Sequence, residues 1–473
     1  MGDPLLPQEL VEAILDNLLS DKATLRNCAL VGKAWLSYSQ RGLFQHIELP
    51  PLMEFYDVRR PASLALRFSS SYPYRSLKNI TLKAIQRLDE TFNNNPQLLS
   101  YVQSLEIQGD INIDTASVKI QRLLHASMSN MIRRLSSTGH LVGLTLRRIN
   151  WSMLFPSLKD ALISAFRAPS ITEICLAAST FPSFHTVTSL LALAKGLRVL
   201  TIDKVVYAFA FELNMDDILN VPSTQGTDLG EPRSIHLKEL RLDGAHPFGT
   251  WLERESSCPF RVDRLEHLRI VRTIHYTPYD RQATAFLLQN GGNLRNLELQ
   301  DLGPGDYTTP EDCIVHLGHA QNLCNIKLIL MECAGYGIVD WILSLFESPD
   351  STANSDASRI SIESNSTRRH PLLRQVTFEV AVWELGVDNM FDYGGWDRWN
   401  AVDELFAGPQ ASESFPSLDM VTVLWRLDSD LQGSEHLSDD DSDDTLRSDF
   451  EDFILEKFSL LAQAGKIEME VVY

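Results

Sequence analysis

One arrangement of apolar positions returns along most of the chain: Leu-x-x-Leu-x-Leu, with Ile, Val or Phe replacing some leucines. Its first positions are Leu77, Val102, Leu141, Ile171, Leu197, Leu237, Leu265, Leu294, Leu323, Leu373 and Leu418, and Ile467-x-Met469-x-Val471 reads as a closing strand. The second half of each phrase alternates apolar and polar residues, the period of a half-buried strand. Helical spacing fills the intervals. Ser157 is read as the cap of a helix holding Leu162, Ile163 and Phe166 that stops near Pro169. Ser183 or Thr186 opens another through Leu190, Leu191 and Ala194, with Gly196 as a left-handed C′ residue. Ala283, Phe286 and Leu287 share a helix face ended by Gly291-Gly292, and Thr309-Pro310-Glu311-Asp312 starts a helix ahead of Ile314 and Leu317. Strand, turn and helix recur, so the pattern predicts an α/β chain with strands stacked in parallel. No single unit buries its apolar face; the stack does so jointly.

The first fifty residues follow a different period. Leu10, Ile14 and Leu18 form one row at four-residue steps, and Val11, Leu15 and Leu19 form a second about 100° away. Pro7 suits a first helical position and Glu9 the first turn. Asp21 reads as the N-cap of a second helix carrying Leu25, Cys28 and Ala29. Gly32 is the seam before a third helix, which begins at Val31 and Trp35 and ends at Arg41-Gly42. This apolar sector is wider than so small a unit can hide within itself. The surplus is covered either by a partner protein or by the strands that follow; from the pattern alone both stand.

Composition narrows the function classes. At 44% hydrophobic and 22% charged the chain is an ordinary globular one, and its net charge of −20 argues against nucleic acid and anionic membrane surfaces as partners. The cysteines, at 28, 175, 258, 313, 324 and 333, include no Cys-x-x-Cys pair. They are read as reduced, packed thiols of a cytoplasmic or nuclear protein. No secretory signal and no membrane-spanning run is read.

Two resemblances carry these patterns further. Leu6-Pro-Gln-Glu-Leu, Ile14-Leu15, Leu18, Leu25-Arg-x-Cys28-x-Leu30-Val31, Trp35 and a strand opening Leu43-Phe44-x-x-Ile47 resemble an F-box of the basidiomycete form, with Gly32-Lys33 departing from the family's usual Cys and basic residue. The resemblance implies a three-helix F-box over residues 1–49 that binds a Skp-type adaptor, and through it a cullin–RING ubiquitin ligase. Carried over by position, Leu6, Pro7, Leu10, Ile14, Leu15, Leu18, Leu25, Cys28, Leu30, Val31 and Trp35 form or support that contact. The spacing of 28 and 29 residues in the clearest group is similar to irregular leucine-rich repeats of the ribonuclease-inhibitor-like kind, which implies a horseshoe solenoid over residues 50–473. That family often places Asn three residues past the last Leu of the phrase. Ile85, Ile149, Val205, Ala245, Thr273, Leu302 and Met331 stand there instead, so the turns must satisfy their backbone otherwise. The function implied is a non-catalytic substrate receptor holding a protein target, with an F-box scaffold that transfers no ubiquitin as the alternative.

Catalytic patterns are not found: no phosphate-cradling glycine loop, no His-Glu-x-x-His and no Gly-x-Ser-x-Gly occurs. Cys313, His316 and His319 have ligand types, but on a helix they diverge, so no metal or cofactor is expected. Asp403-Glu404 reads as solvated acid. Residues 348–367 and 428–452 are polar or acidic and read as mobile insertions. Ser438 and Ser442 in the second lie in surroundings that acidophilic kinases favour. Phe391, Tyr393, Trp396 and Trp399 are read as capping the last units, with an exposed patch as the alternative. The outward strand positions, including Lys83, Arg147, Arg241, Asp243, Arg269, Glu298 and Lys327, have mixed signs that suit a protein target; Trp396 joins them as a target-contact candidate.

Overall fold

The computed structural model describes residues 6–49, 74–109, 118–207, 234–243, 246–254, 258–271, 278–300, 316–331, 338–346, 369–382, 398–427 and 451–472. The chain is mixed α/β and its long strands pair in parallel. It divides into two compact units, Met1–Ile235 and His236–Tyr473. Among the described residues no helix is long and apolar enough to cross a membrane. The insertion at 348–367, the helix start at Thr309 and nearly all of 428–452, with Ser438 and Ser442, lie outside the described residues.

In the first unit three helices, α1 (Gln8–Asp16), α2 (Lys22–Val31) and α3 (Lys33–Gln45), lead into strand β1 (His46–Leu49). There follow α4 (Tyr74–Asn94), β2 (Ser104–Gln108), α5 (Val118–Ser137), β3 (Gly143–Arg147), α6 (Pro156–Phe166), β4 (Glu173–Ala177), α7 (Phe184–Leu191) and β5 (Val199–Asp203). β1 to β5 pair in sequence order. The second unit holds β6 (Glu239–Asp243), α8 (His246–Arg254), β7 (His267–Val271), α9 (Pro278–Asn290), β8 (Asn296–Gln300), β9 (Asn325–Met331), α10 (Ile338–Phe346), β10 (Gln375–Val382), α11 (Trp399–Ala407), β11 (Met420–Leu427), α12 (Ser459–Gln463) and β12 (Ile467–Val472). β6 to β12 also pair in order.

Strands β2 to β11 each begin two residues after the first apolar position of a phrase. The reason is a hydrogen bond repeated from unit to unit. The carbonyl one residue past that position accepts two N–H groups from the next phrase. Gln103 O takes Val142 and Gly143 at 2.7 and 2.9 Å, and Val142 O takes Thr172 and Glu173 at 2.9 and 3.1 Å. Lys238 O, Glu266 O, Arg295 O, Cys324 O and Arg374 O do the same in the second unit. Register being locked this way, the phrase's apolar residues fall on one packed face, as with Leu144, Leu146, Ile174, Leu176, Leu200 and Ile202, all buried. The core of the last strands is aromatic: Phe378 lies 5.5 Å from Trp399, and Phe406 lies 5.3 Å from Phe346. Trp399 therefore seals the packed face, whereas Phe391, Tyr393 and Trp396 lie outside the described residues.

Polar side chains satisfy backbone groups at both ends of the strands. Ser179 stands three residues past Leu176; its buried hydroxyl donates to the carbonyls of Leu146 and Ala177 and accepts the Ile149 N–H at 3.0 Å. Other polar side chains act at the start of the phrase. Asn293, Asn322 and Ser417 each precede the first Leu of a phrase and donate to the carbonyls of Asp263, Gly292 and Pro371, at 2.8, 2.7 and 2.6 Å. After β3, β4 and β5 the chain turns through left-handed Arg148, Ala178 and Lys204, with φ of 56°, 48° and 48°. Such residues cost roughly 1 kcal/mol or more. Their recurrence at one structural position marks a turn the stack imposes.

Several expectations are corrected. Leu77-x-x-Ile80-x-Leu82 is not a strand but part of α4. The stretch continues with Ile85, Leu88 and Phe92 at helical spacing, and the burial of Ile85 and Phe92 shows which period wins. Lys83 is accordingly a helix residue. Ser157 is not a cap: Phe155 is the N-cap and Pro156 starts α6 with its fixed φ. Gly196 does not take a left-handed conformation. A side chain there would meet the carbonyl oxygens of Pro169 and Ile171 at 2.9 and 3.0 Å, so glycine serves close approach. Asp403 is not a solvated acid. It is buried, and its carboxylate accepts the N–H groups of Leu460 and Leu461 at 2.7 and 2.9 Å, capping α12 from another helix.

His125 on α5 is buried against the ring of Phe155, and its Nδ1 accepts the Phe155 N–H at 3.2 Å. Burial holds its pKa down, at about 4 against the ordinary 6.5. Between these values the unfolded chain binds a proton that the folded chain refuses, so this stability is full above 6.5 and lost as pH falls toward 4. Chemical denaturation at pH 7 and pH 5 should show that His125→Gln removes about 2 kcal/mol of the wild-type loss. An identical pH dependence in the two proteins contradicts this.

Candidate functional site

The front helices build the first candidate surface. Val11, Leu15 and Leu25 form a small core, and Leu18, Cys28, Trp35, Tyr38 and Leu43 pack against it half-buried. Asp21 caps α2 as predicted, accepting the Thr24 N–H at 3.0 Å and the Thr24 hydroxyl at 2.5 Å, which lowers its pKa. Tyr38 ties α3 to α1. Its hydroxyl donates to the Glu12 carboxylate and accepts from Gln8 Nε2, and the Glu12 bond raises its pKa. No periodicity marks Tyr38; the only trace is the Gln8–Glu12 pair four residues apart.

The two apolar rows of α1 separate. Val11 and Leu15 turn inward, while Leu10 is 51% and Ile14 42% exposed. The junction of α2 and α3 adds Leu30, 86% exposed, with Val31 at 69% and Leu36 beyond Gly32. Leu6, ahead of α1, and Leu19 are exposed too. Of the predicted adaptor contacts, Leu6, Leu10, Ile14, Leu30 and Val31 thus face solvent. Leu15 and Leu25 are enclosed and support the module from within. Leu18, Cys28 and Trp35 lie between. Pro7 is the N-cap rather than the first helical residue, its carbonyl accepting the N–H groups of Leu10 and Val11.

The third helix does not end at Arg41-Gly42. It runs to Gln45, so Leu43 and Phe44 are helical and the strand opens only at His46. Gly42 is a packing glycine: a Cβ there would lie 2.9 Å from the side chains of both Leu19 and Leu25. Past the helix, Gln103 N–H donates to Gln45 O at 2.9 Å and β1 pairs with β2, which joins the module to the rest of the first unit.

The second candidate surface is the open face of the strands. Arg147 Nε donates to Glu106 at 3.0 Å, and this bond raises the pKa of Arg147. Arg241 pairs with Glu239 at 2.5 Å, and Arg269 with Glu298 at 3.6 Å. Lys327 and Arg426 converge on Glu379 at 2.5 and 2.9 Å. Asp243 ends β6 half-buried, and Trp396 lies outside the described residues. Arg147, Arg269, Glu298 and Lys327 thus stand in ion pairs between neighbouring strands, whereas Arg241 pairs within its own strand. Glu379, an outward position by the same phrase register, is buried although it lies on the open face, with Ile329 and Leu424 beside it in register. Among the described residues no group of His, Cys, Asp and Glu is arranged to hold a metal ion. No family model matches the chain, and no curated protein matches it in sequence.

Two outcomes follow for stability. Gly32 joins α2 to α3 in an extended conformation, with no atom within 4 Å of an added Cβ. Gly32→Ala should therefore raise stability by about 0.4–1 kcal/mol in denaturant unfolding, and a loss contradicts the junction described. Glu379→Gln should cost about 1–3 kcal/mol, since a buried group loses charged partners, whereas Glu298→Gln should stay within about 0.5 kcal/mol. Equal effects contradict the distinction between the two pairs.

Proposed function

We propose that the front helices are an F-box binding a Skp-type adaptor. The chain is then the substrate-recognition subunit of a cullin–RING ubiquitin ligase, with irregular leucine-rich repeats holding a protein target. The observation that carries this reading is the exposure of Leu10, Ile14, Leu30 and Val31 on a module whose own core is complete without them. Full burial of each such side chain contributes about 1.5–3 kcal/mol, so a partner covering them gains affinity without rearranging the module. The paired charges of the open face suit a protein target, since each bond presents both signs.

The receptor holds its target while partners supply the chemistry, so its contribution to ubiquitin transfer is proximity. A pull-down with a Skp-type adaptor is expected to fail with Leu30→Asp or Val31→Asp while circular dichroism stays unchanged. Leu15→Asp is a folding control, because it places a carboxylate in the module's core and melts the helices. Full adaptor retention by both surface variants rejects the proposal.

A further inference from the structure

Carboxylates on the open face of the second unit commonly sit beside a cation, as Glu239 does with Arg241, Glu298 with Arg269, and Glu379 with Lys327 and Arg426. The last strand departs from this. Glu468 and Glu470 on β12 are exposed and form no ion pair among the described residues. Their register neighbours on β11 are Thr422 and Leu424, which carry no charge.

The packed face of β12 is unfinished as well. Val421 and Val423 on β11 are 0% and 2% exposed, yet Ile467 and Met469, in register with them, remain half-exposed. Strand β1 shows the contrast, with Ile47 and Leu49 both buried. The backbone agrees. Lys466 O accepts the Val421 N–H at 2.7 Å, and strand groups alternate in direction. Ile467, Met469 and Val471 therefore turn their N–H and C=O groups away from β11.

We infer that β12 is a docking edge for an extended segment of another protein in which Lys or Arg alternates with aliphatic residues. The backbone of the segment continues the sheet, its cations lie beside Glu468 and Glu470, and its aliphatic side chains close over Ile467 and Met469. A second copy of this chain does not fit, because pairing two β12 strands sets these glutamates against each other. The second unit also carries 41 Asp and Glu against 19 Lys and Arg, a field that draws a basic segment and repels its own kind. The edge lies in the second unit, and occupying it does not require the front helices.

Fluorescence anisotropy with the full chain and a labelled eight-residue peptide of alternating lysine and valine should show saturable binding. Glu468→Lys combined with Glu470→Lys should weaken it by about tenfold or more, and the same double variant should gain binding to the peptide with glutamate for lysine. Amide exchange at Ile467, Met469 and Val471 should slow when the lysine–valine peptide is bound. Affinity unchanged by the charge reversal, or exchange at these amides that does not respond, overturns the docking edge.

Discussion

A carbonyl that accepts two N–H groups from the next phrase is the contact on which this architecture rests. It recurs at Gln103, Val142 and Thr172 in the first unit and at Lys238, Glu266, Arg295, Cys324 and Arg374 in the second. It leaves no freedom of register, and a slip of one residue would carry every leucine of a strand to the solvent side. The intervals between phrases vary in length, yet the variation is absorbed in the connections because the strand start is pinned.

Locked register also decides where charge goes. Residues between the leucines all reach the open face, so a Glu on one strand and an Arg or Lys on its neighbour meet without further design. Most such pairs are exposed and add at most about 1 kcal/mol each. Glu379 differs in being buried between two cations. The front module obeys a second economy. Three aliphatic side chains and a tyrosine hydrogen bond hold its helices together, which leaves a separate set of leucines, isoleucine and valine in water.

Much of the strand layout was legible in the sequence, because the phrase encodes a period of two and its apolar residues do occupy the packed face. The failure at Leu77 is instructive. Six residues of α4 imitate the phrase, and only the continuation through Ile85 and Phe92 reveals the helix. Contacts between distant segments were not legible. Asp403 capping α12, Ser179 bridging Leu146 and Ile149, and Gly42 under Leu19 and Leu25 depend on neighbours far along the chain. In the front helices the pattern showed that apolar surface was in excess. It did not separate Leu15 and Leu25, which the module consumes, from Leu30 and Val31, which it leaves outside.

The central claim is that this outer set is a contact surface for a second polypeptide. Hydrogen exchange of the full chain, with and without a purified Skp-type adaptor, addresses it directly. The account predicts slowed exchange confined to α1, α2 and the start of α3, with the strands unaffected. Protection that appears only on the strands, or nowhere, contradicts it.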